Sequence, residues 1–428
     1  MSSVAPAFLQ AFDRIAHSQH HFFITGRAGT GKTSFVRYFS THTAKKTILL
    51  APTGIAALQL GGQTIHSFFG FPHGPLKPKD LRKRLKAGVY KKIEVIIIDE
   101  ISMVRADMLD GIDRFLRNNR EKKDLPFGGV QLILCGDPFQ LPPVVKDGAE
   151  RTMMEMLYES PYFFSSKIFQ QEKFHLIHFT EVFRQKEKLF LQMLEMIRTR
   201  TMDEYHLHRI NERHFPVWEP PAEWGYITLA TTNSLVDQMN MSRLLRLPGE
   251  SRRYMAASTG EVDINGMPSP AVLELRKGAQ VMFVLNDPEK NWVNGTLGRV
   301  VNMEENAVLV EIAADGLTKV VEVAAAEWKV MEYDFDEKKK TILEKERGTY
   351  TQIPLRLAWA VTIHKSQGMS FDKVQIHLGT GAFAPGQAYV AFSRCRTLEG
   401  IVLSRKLFPK DIFLHPAVYD FAERFGLI

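Results

Sequence analysis

Eight consecutive residues, Gly26-Arg27-Ala28-Gly29-Thr30-Gly31-Lys32-Thr33, constrain this chain more than any other feature. They fit the pattern G-x-x-x-x-G-K-[ST]. Before them, Phe22-Phe23-Ile24-Thr25 reads as a buried strand; after them, Ser34-Phe35-Val36-Arg37-Tyr38-Phe39 reads as the opening of a helix. Glycines at such a junction let backbone N–H groups converge on a phosphate. Lys32 then supplies a cation for the β- and γ-phosphates, and Thr33 a hydroxyl for Mg²⁺. Gly26, Ala28, Gly29, Thr30, Gly31, Lys32, Thr33 and Ser34 are the expected cradle of a nucleoside triphosphate. A glycine-rich turn that binds nothing is the plainer alternative, and the flanking strand and helix weigh against it.

The pattern around this loop sets the fold class. Apolar runs at His20–Thr25, Thr47–Ala51, Glu94–Ile98, Val130–Cys135 and Phe174–Phe179 alternate with helical segments. The clearest helix is Met103–Asn118, where Met108, Leu109, Ile112, Phe115 and Leu116 share a face. This alternation predicts a parallel α/β sheet with helices on both faces. Gly61–Tyr90, with its basic run Lys77–Lys86, reads as an insertion. A second alternation starts at Tyr226–Thr232, breaks off between about Arg252 and Gln352, and resumes at Leu355–Ile363, Lys373–Leu378 and Gly400–Leu403. A helix over Pro416–Phe425 follows. The interruption holds short alternating runs, Gly298–Val301 and Ala307–Ile312, with turn signals at Asn294-Gly295 and Glu304-Glu305-Asn306; it predicts a small β-barrel. The 428 residues suffice for two or three cores.

Composition removes other classes. Cys135 and Cys395 are the only cysteines, so neither a disulfide framework nor a cysteine-rich zinc site is available. A reducing compartment suits such a chain. Met1–Gln10 lacks the pattern of a signal peptide, and no apolar run approaches a membrane span. The expectation is a cytoplasmic protein of bacterial or phage-like type with no membrane partner. A net charge of +7 favours a polyanionic partner only slightly over simple solubility.

Glu94-Val95-Ile96-Ile97-Ile98-Asp99-Glu100 is an apolar strand ending in two carboxylates, at the edge where open α/β sheets place ligands. Asp99 is expected to hold Mg²⁺, partly through water, and Glu100 to serve as general base. Beyond the next strand, Gln140 sits in Gly136-Asp137-Pro138-Phe139-Gln140-Leu141-Pro142-Pro143, where its amide can sense a γ-phosphate; a rigid proline-rich turn is the alternative. Arg184 and Arg394 each end an apolar segment, and an arginine reaching the γ-phosphate contributes about 10³–10⁵-fold in rate. Most arginines of a basic protein merely solubilise it. Thr362-Ile363-His364-Lys365-Ser366-Gln367-Gly368 offers hydroxyl, imidazole and ammonium groups suited to phosphodiester contacts, while His364 is as readily a core histidine.

In this order, the segments resemble those of superfamily-one helicases, and most closely the petite-integration-frequency (Pif-type) DNA helicases, with RecD-type helicases as nearest relatives. Gly26–Thr33, Ile98–Ser102, Ala51–Ala57, Thr64–Phe69, Gly136–Pro143, Glu181–Gln185, Thr362–Gly368 and Tyr389–Arg394 carry the likeness across nearly the whole chain. Met369-Ser370-Phe371-Asp372 follows the His-Lys-Ser-Gln-Gly run where RecD-type chains usually have a glutamate, which favours the Pif type. The resemblance implies two RecA-like parallel-sheet domains: residues 1–185, carrying a pin near 61–90, and residues 186–250 with 350–428. A barrel like that of Src-homology-3 domains is implied at 251–349, with Gly278–Met282 and Asn294-Gly295 as landmarks.

It further implies ATP and Mg²⁺ as cofactors, with Gln10 reading adenine, Gly368 near the nucleotide, and Lys32, Glu100, Gln140, Arg184 and Arg394 in catalysis. Arg184 and Arg394 are expected to reach across from the second domain. Thr53, Gly54, Thr64, His66 and Phe68 would grip single-stranded DNA from one domain, and Thr231, Asn233, Thr362, His364 and Lys365 from the other. The implied activity is ATP-driven movement 5′ to 3′ with unwinding of tailed or forked duplexes; G-quadruplexes and RNA–DNA hybrids are further substrates within the family's range. Such helicases often act as monomers. A DNA-stimulated ATPase that clamps without unwinding, and an RNA helicase, share the nucleotide motifs and stay open here.

Overall fold

The computed structural model describes residues 5–72, 74–84, 88–218, 225–314, 317–336 and 341–428. A strand apolar at every position needs cover on both faces, and the first sheet has it. β1 (His21–Gly26), β2 (Thr47–Ala51), β3 (Gln63–Thr64), β4 (Val95–Ile98), β5 (Gln131–Cys135) and β6 (Phe174–Phe179) pair in parallel, in the order β3-β2-β4-β5-β1-β6. Phe22, Ile24, Val95, Ile97 and Ile133 meet Ala11 and Ile15 of α1 (Pro6–Ala16) and Phe35, Val36 and Phe39 of α2 (Lys32–His42). Their neighbours Phe23, Ile96, Ile98, Leu132 and Leu134 belong to the other face. α3 (Gly54–Leu60), α4 (Ile65–Phe69) and α5 (Gly88–Lys92) connect strands, and α6 (Ala106–Arg120) packs Leu109, Ile112, Phe115 and Leu116 onto that second face. α7 (Ala149–Leu157) and α8 (Lys167–Gln171) precede β6.

After α9 (Lys188–Thr199), α10 (Glu204–Asn211), β7 (Ile227–Ala230) and α11 (Asn233–Arg246), the chain turns antiparallel. β8 (Arg252–Met255), β9 (Ala257–Gly260), β10 (Val272–Leu275), β11 (Gln280–Phe283), β12 (Leu297–Met303), β13 (Ala307–Ala314), β14 (Leu317–Ala324), β15 (Ala326–Asp336), β16 (Thr341–Gln352) and β17 (Leu355–Leu357) form three sheets. The largest runs β14-β13-β12-β11-β17; β10 pairs with β8, and β15-β16-β9 make the third. Alternate residues Val281, Phe283, Val308, Val310, Ile312 and Leu355 fill one core. β18 (Ala360–Thr362), β19 (Val374–His377) and β20 (Ile401–Leu403) then join β7 in a second parallel sheet, β18-β7-β19-β20. α12 (Gln387–Phe392) and α13 (Pro416–Arg424) complete the chain.

Four features differ from the expectations. Gln63–Thr64 pairs with Leu50–Ala51, so the insertion begins only after α4; positions 73 and 85–87 within it lie outside the described residues. The apolar run Leu355–Ile363 is two strands in two sheets: Leu355–Leu357 pairs with β11 and Ala360–Thr362 with β7. β15 and β16 form a hairpin far longer than a small barrel needs. The terminal helix, which the resemblance puts with the second domain, sets Phe421 against Phe23, Phe163 and Phe164 beside the first sheet.

Candidate nucleotide and nucleic-acid site

Parallel strands deliver their carboxyl ends to one edge, and the chemistry of the chain gathers there. Lys32 folds its ammonium back onto the loop, donating to the carbonyl oxygens of Gly26 at 2.6 Å and Arg27 at 2.9 Å. The Thr33 hydroxyl donates to Asp99 Oδ2 at 2.8 Å, and the Glu100 N–H donates to Asp99 Oδ1 at 2.9 Å. Glu100 adopts φ +51°, a left-handed conformation that a side chain resists; such strain gathers at functional sites. Burial raises the pKa of Asp99. Burial and then the adjoining Asp99 charge push Glu100 up to about 7, against the opposing charges of Lys32 and Arg394.

A hydroxyl and a buried carboxylate in contact are hard oxygen donors. They fit Mg²⁺, which keeps most of its water and takes few protein ligands. Among the described residues no group of three or more His, Cys, Asp or Glu side chains could cage a metal.

The two arginines converge from opposite sides. Arg394, 1% exposed, donates through Nε to the Val390 carbonyl at 3.0 Å and through a terminal nitrogen to Ser393 Oγ at 2.8 Å. Burial lowers its pKa to about 10, so it stays charged. Arg184 belongs to the first unit instead of reaching across from the second. It follows β6 and lies on the phosphate loop, where a Cβ on Gly29 (φ +83°) would approach its Cβ to 2.6 Å. Only glycine fits there. Its guanidinium crosses the cleft to the Ser393 carbonyl at 3.0 Å, and burial, then Arg394, lowers its pKa to about 9. Gln140, buried, accepts from Gln367 Nε2 at 3.4 Å across the same cleft.

The rest of the cradle is uneven. The Ala28 N–H is taken by the Tyr389 hydroxyl at 2.9 Å, and the Thr30 hydroxyl donates to the Arg27 carbonyl at 2.9 Å. Ser34 is exposed in the first turn of α2. Gln10 is exposed on α1; from the same helix it is Phe8 that packs on Phe35 and Phe179 beside the loop.

A cleft of about 700 Å³ brings Thr33, Asp99, Glu100, Thr53, Gly54, His364, Lys365 and Gly368 together. A second, of about 970 Å³, joins Thr53, Gly54, Thr64 and His66 to Glu261, Asp263, Gly266 and Trp328. Thr53 and Thr64 cap α3 and α4, accepting from Ala56 N and Ser67 N at 3.3 and 3.1 Å. Each hydroxyl keeps its own hydrogen for an outside acceptor. Thr362 likewise accepts from Lys365 N at 3.2 Å, and burial lowers the pKa of both His364 and Lys365. Thr231 is buried at the end of β7, with Asn233 exposed at the start of α11.

Phe68 corrects an expectation. It is buried edge-on to Phe69 and Tyr90, which leaves its ring no open face for a base. The segment around Gly266 also closes on the proposed track: a Cβ on Gly54 would meet the Gly266 carbonyl oxygen at 2.8 Å.

Sequence reasoning gave no role to Asp137, Arg198, Glu195 or Tyr389. Asp137 and Tyr389 lie inside recognised motifs, which was the available signal; Arg198 and Glu195 sit in an ordinary amphipathic helix and gave none.

Fold and site define a phosphate-loop protein of the two-sheet RecA-like class. The PIF1-like helicase profile matches residues 6–205. The ATP-dependent DNA helicase PIF1 of Xenopus laevis is 35% identical over 94% of this chain and 62% of its own length. The Bdellovibrio bacteriovorus counterpart is 32% identical over 99% of this chain and 92% of its own length. Bacteroides sp Pif1 with ADP-AlF4 superposes at TM-score 0.90 with 38% identity, covering 100% of this chain and 98% of that one. The chain belongs to the PIF1-like helicase family. It spans 57–62% of the length of the human and Xenopus relatives. Among Bacteroides structures of equal identity, the unliganded one matches at 0.89 and the ssDNA-bound one at 0.72. Among the described residues no helix is long and apolar enough to cross a membrane.

Proposed function

We propose that this chain hydrolyses ATP to move 5′ to 3′ along single-stranded DNA and unwinds tailed or forked duplexes. The observation that carries the reading is the single cleft in which Thr33, Asp99 and Glu100 share walls with Thr53, Gly54, His364 and Lys365. Nucleotide chemistry and strand contacts in one cleft allow each to bias the other.

Thr33 and Asp99 would hold Mg²⁺, which supplies neutralising charge at the β- and γ-phosphates. Lys32 leaves the Gly26 and Arg27 carbonyls for the same phosphates. Glu100 takes the proton of the attacking water at its carboxylate, and Gln140 orients that water or the γ-phosphate. Arg184 and Arg394 stabilise the charge that gathers as the terminal phosphate departs. Because they stand on opposite sides of the cleft, ATP favours the closed arrangement and its loss the open one. Thr53, Thr64 and His66 on one side, and Thr231, Asn233, Thr362, His364 and Lys365 on the other, alternate in holding the backbone, a mode with little sequence preference.

We read residues 1–185 as the first motor domain and 186–250 with the segment from β18 onward as the second, the antiparallel region being inserted between them. Relatives of known structure support the nucleic-acid partner: Bacteroides Pif1 has been captured bound to ssDNA, and a 38% identical Pif1 structure concerns unwinding at forked dsDNA by two coordinating Pif1 helicases. The lower likeness to ssDNA-bound copies matches a chain arranged as in the DNA-free protein.

Unwinding of two duplexes, one with a 5′ single-stranded tail and one with a 3′ tail, tests the reading. Opening of the 5′-tailed duplex alone is expected. DNA-stimulated hydrolysis with neither duplex opened would establish the clamping ATPase instead.

A further inference from the structure

Tyr389 stands where the second parallel unit touches the phosphate loop, and nothing in the mechanism above uses it. Its hydroxyl accepts the Ala28 N–H at 2.9 Å and donates to Asp137 Oδ2 at 3.2 Å. Both side chains are buried, Asp137 completely. The network continues beyond them. Asp137 Oδ1 lies 3.5 Å from Arg198, whose guanidinium stacks 3.8 Å from the centre of the Phe139 ring. Arg198 pairs with Glu195 at 3.1 Å, and Glu195 pairs with Arg27 of the loop at 2.8 Å. The circuit leaves the loop at Arg27 and returns to it at Ala28.

Burying a phenol, a carboxylate and an arginine is costly unless each is partnered. Packing alone would be served as well by phenylalanine at 389, so the hydroxyl has a different use. α12 supplies it. The helix that carries Tyr389 also holds the Val390 carbonyl on which Arg394 Nε rests, and the Ser393 carbonyl that accepts from Arg184 and Gln185, both at 3.0 Å. One turn of helix therefore ties the loop to both arginines.

The geometry points to Tyr389 as a positioning residue: its hydroxyl fixes α12 against Ala28 and Asp137, so that closure of the cleft brings Arg394 to the γ-phosphate in register with Glu100. The inference rests on the ATPase reading. The Tyr389 hydroxyl holds protein groups, Ala28 and Asp137, so its removal is expected to act on the placement of Arg394, and hence on the rate, more than on nucleotide affinity. A misplaced arginine weakens the transition state more than the ground state.

The test is Tyr389→Phe, which deletes one oxygen from an otherwise unchanged ring, with Asp137→Asn as a second probe of the same hydrogen bond. ATP hydrolysis is followed at saturating single-stranded DNA, with a thermal melt of each variant. For both variants kcat is expected to fall by about tenfold, the effect of one well-placed hydrogen bond, while KM for ATP stays within about twofold; the melting temperature is kept in Tyr389→Phe and falls in Asp137→Asn, which also removes the charge facing the buried Arg198. A kcat near that of the wild type overturns the inference. So does a joint loss of kcat, ATP affinity and melting temperature in Tyr389→Phe, which marks a structural strut only. A wild-type chain that shows no DNA-stimulated hydrolysis overturns the ATPase reading itself.

Discussion

Glu100 is the group whose chemistry can be read most directly from solution behaviour. Its carboxyl is buried beside Asp99, and those two effects, burial first, carry its pKa up to about 7 in spite of Lys32 and Arg394. A general base acts only when ionised, so activity is present above this pKa and lost as pH falls through it. With a midpoint near 7, about a tenth of the sites are ionised at pH 6, half at pH 7 and nine-tenths at pH 8. kcat/KM, which reports the free enzyme, is therefore expected to rise roughly tenfold between pH 6 and pH 8. An ordinary glutamate would leave that range flat. The assay is phosphate release at limiting ATP with saturating single-stranded DNA, buffered at constant ionic strength. Nucleotide affinity measured over the same range separates ionisation of ATP from that of the enzyme. Glu100→Gln should bind ATP and DNA yet scarcely turn over. A flat kcat/KM between pH 6 and 8, or Glu100→Gln hydrolysing at the wild-type rate, would refute the assignment of Glu100 as the base.

Arg394→Ala should lower DNA-stimulated hydrolysis by about 10³-fold or more while mant-ATP binding persists; retained turnover would remove Arg394 from transition-state stabilisation. Phe68→Ala should cost about 3–5 kcal/mol of stability in a denaturant melt, as for other buried aromatic deletions, and a stable variant with weakened DNA binding would restore Phe68 to the strand contacts. Affinity for single strands, followed by fluorescence anisotropy, should fall by about 0.7 decade per decade of salt for each neutralised phosphate. A salt-independent affinity would argue against backbone tracking.

Legibility in the sequence followed burial. β1, β4 and β5 are covered on both faces, so apolar residues run unbroken through Phe22–Ile24, Val95–Ile98 and Leu132–Cys135, and the strand limits could be read to within a residue. β3 could not: Gln63 and Thr64 are polar, and only their pairing with Leu50 and Ala51 makes them a strand. Leu355–Ile363 looked like one strand because apolarity records burial but not which core provides it. Phe68 shows the same limit at the site, since an aromatic beside a strand-contact motif serves a core or a base equally well in one dimension. Lys32 and Thr33 were legible because phosphate chemistry fixes their spacing in the loop, and Asp99 and Glu100 because two carboxylates end an apolar strand. The partnership of Tyr389 with Ala28 was not, because 361 residues separate them and only the folded cleft brings them together.

The split of that one apolar run has a mechanical consequence. Only Ala358 and Trp359 separate β17, in the antiparallel region, from β18, in the second parallel sheet. Gln280 clamps this crossing by donating to the carbonyls of Ala358 and Tyr226 at 2.7 and 2.6 Å. The other crossing, residues 247–251, is longer and contains Gly249 at φ +87° with open space about it. The antiparallel sheets are thus joined to the second parallel sheet by one short clamped crossing and one longer crossing, whose start is held by Arg276 at the Leu247 carbonyl, 2.8 Å away. A displacement of those sheets would reach, through Ala358–Trp359, the strand ending at Thr362, two residues before His364.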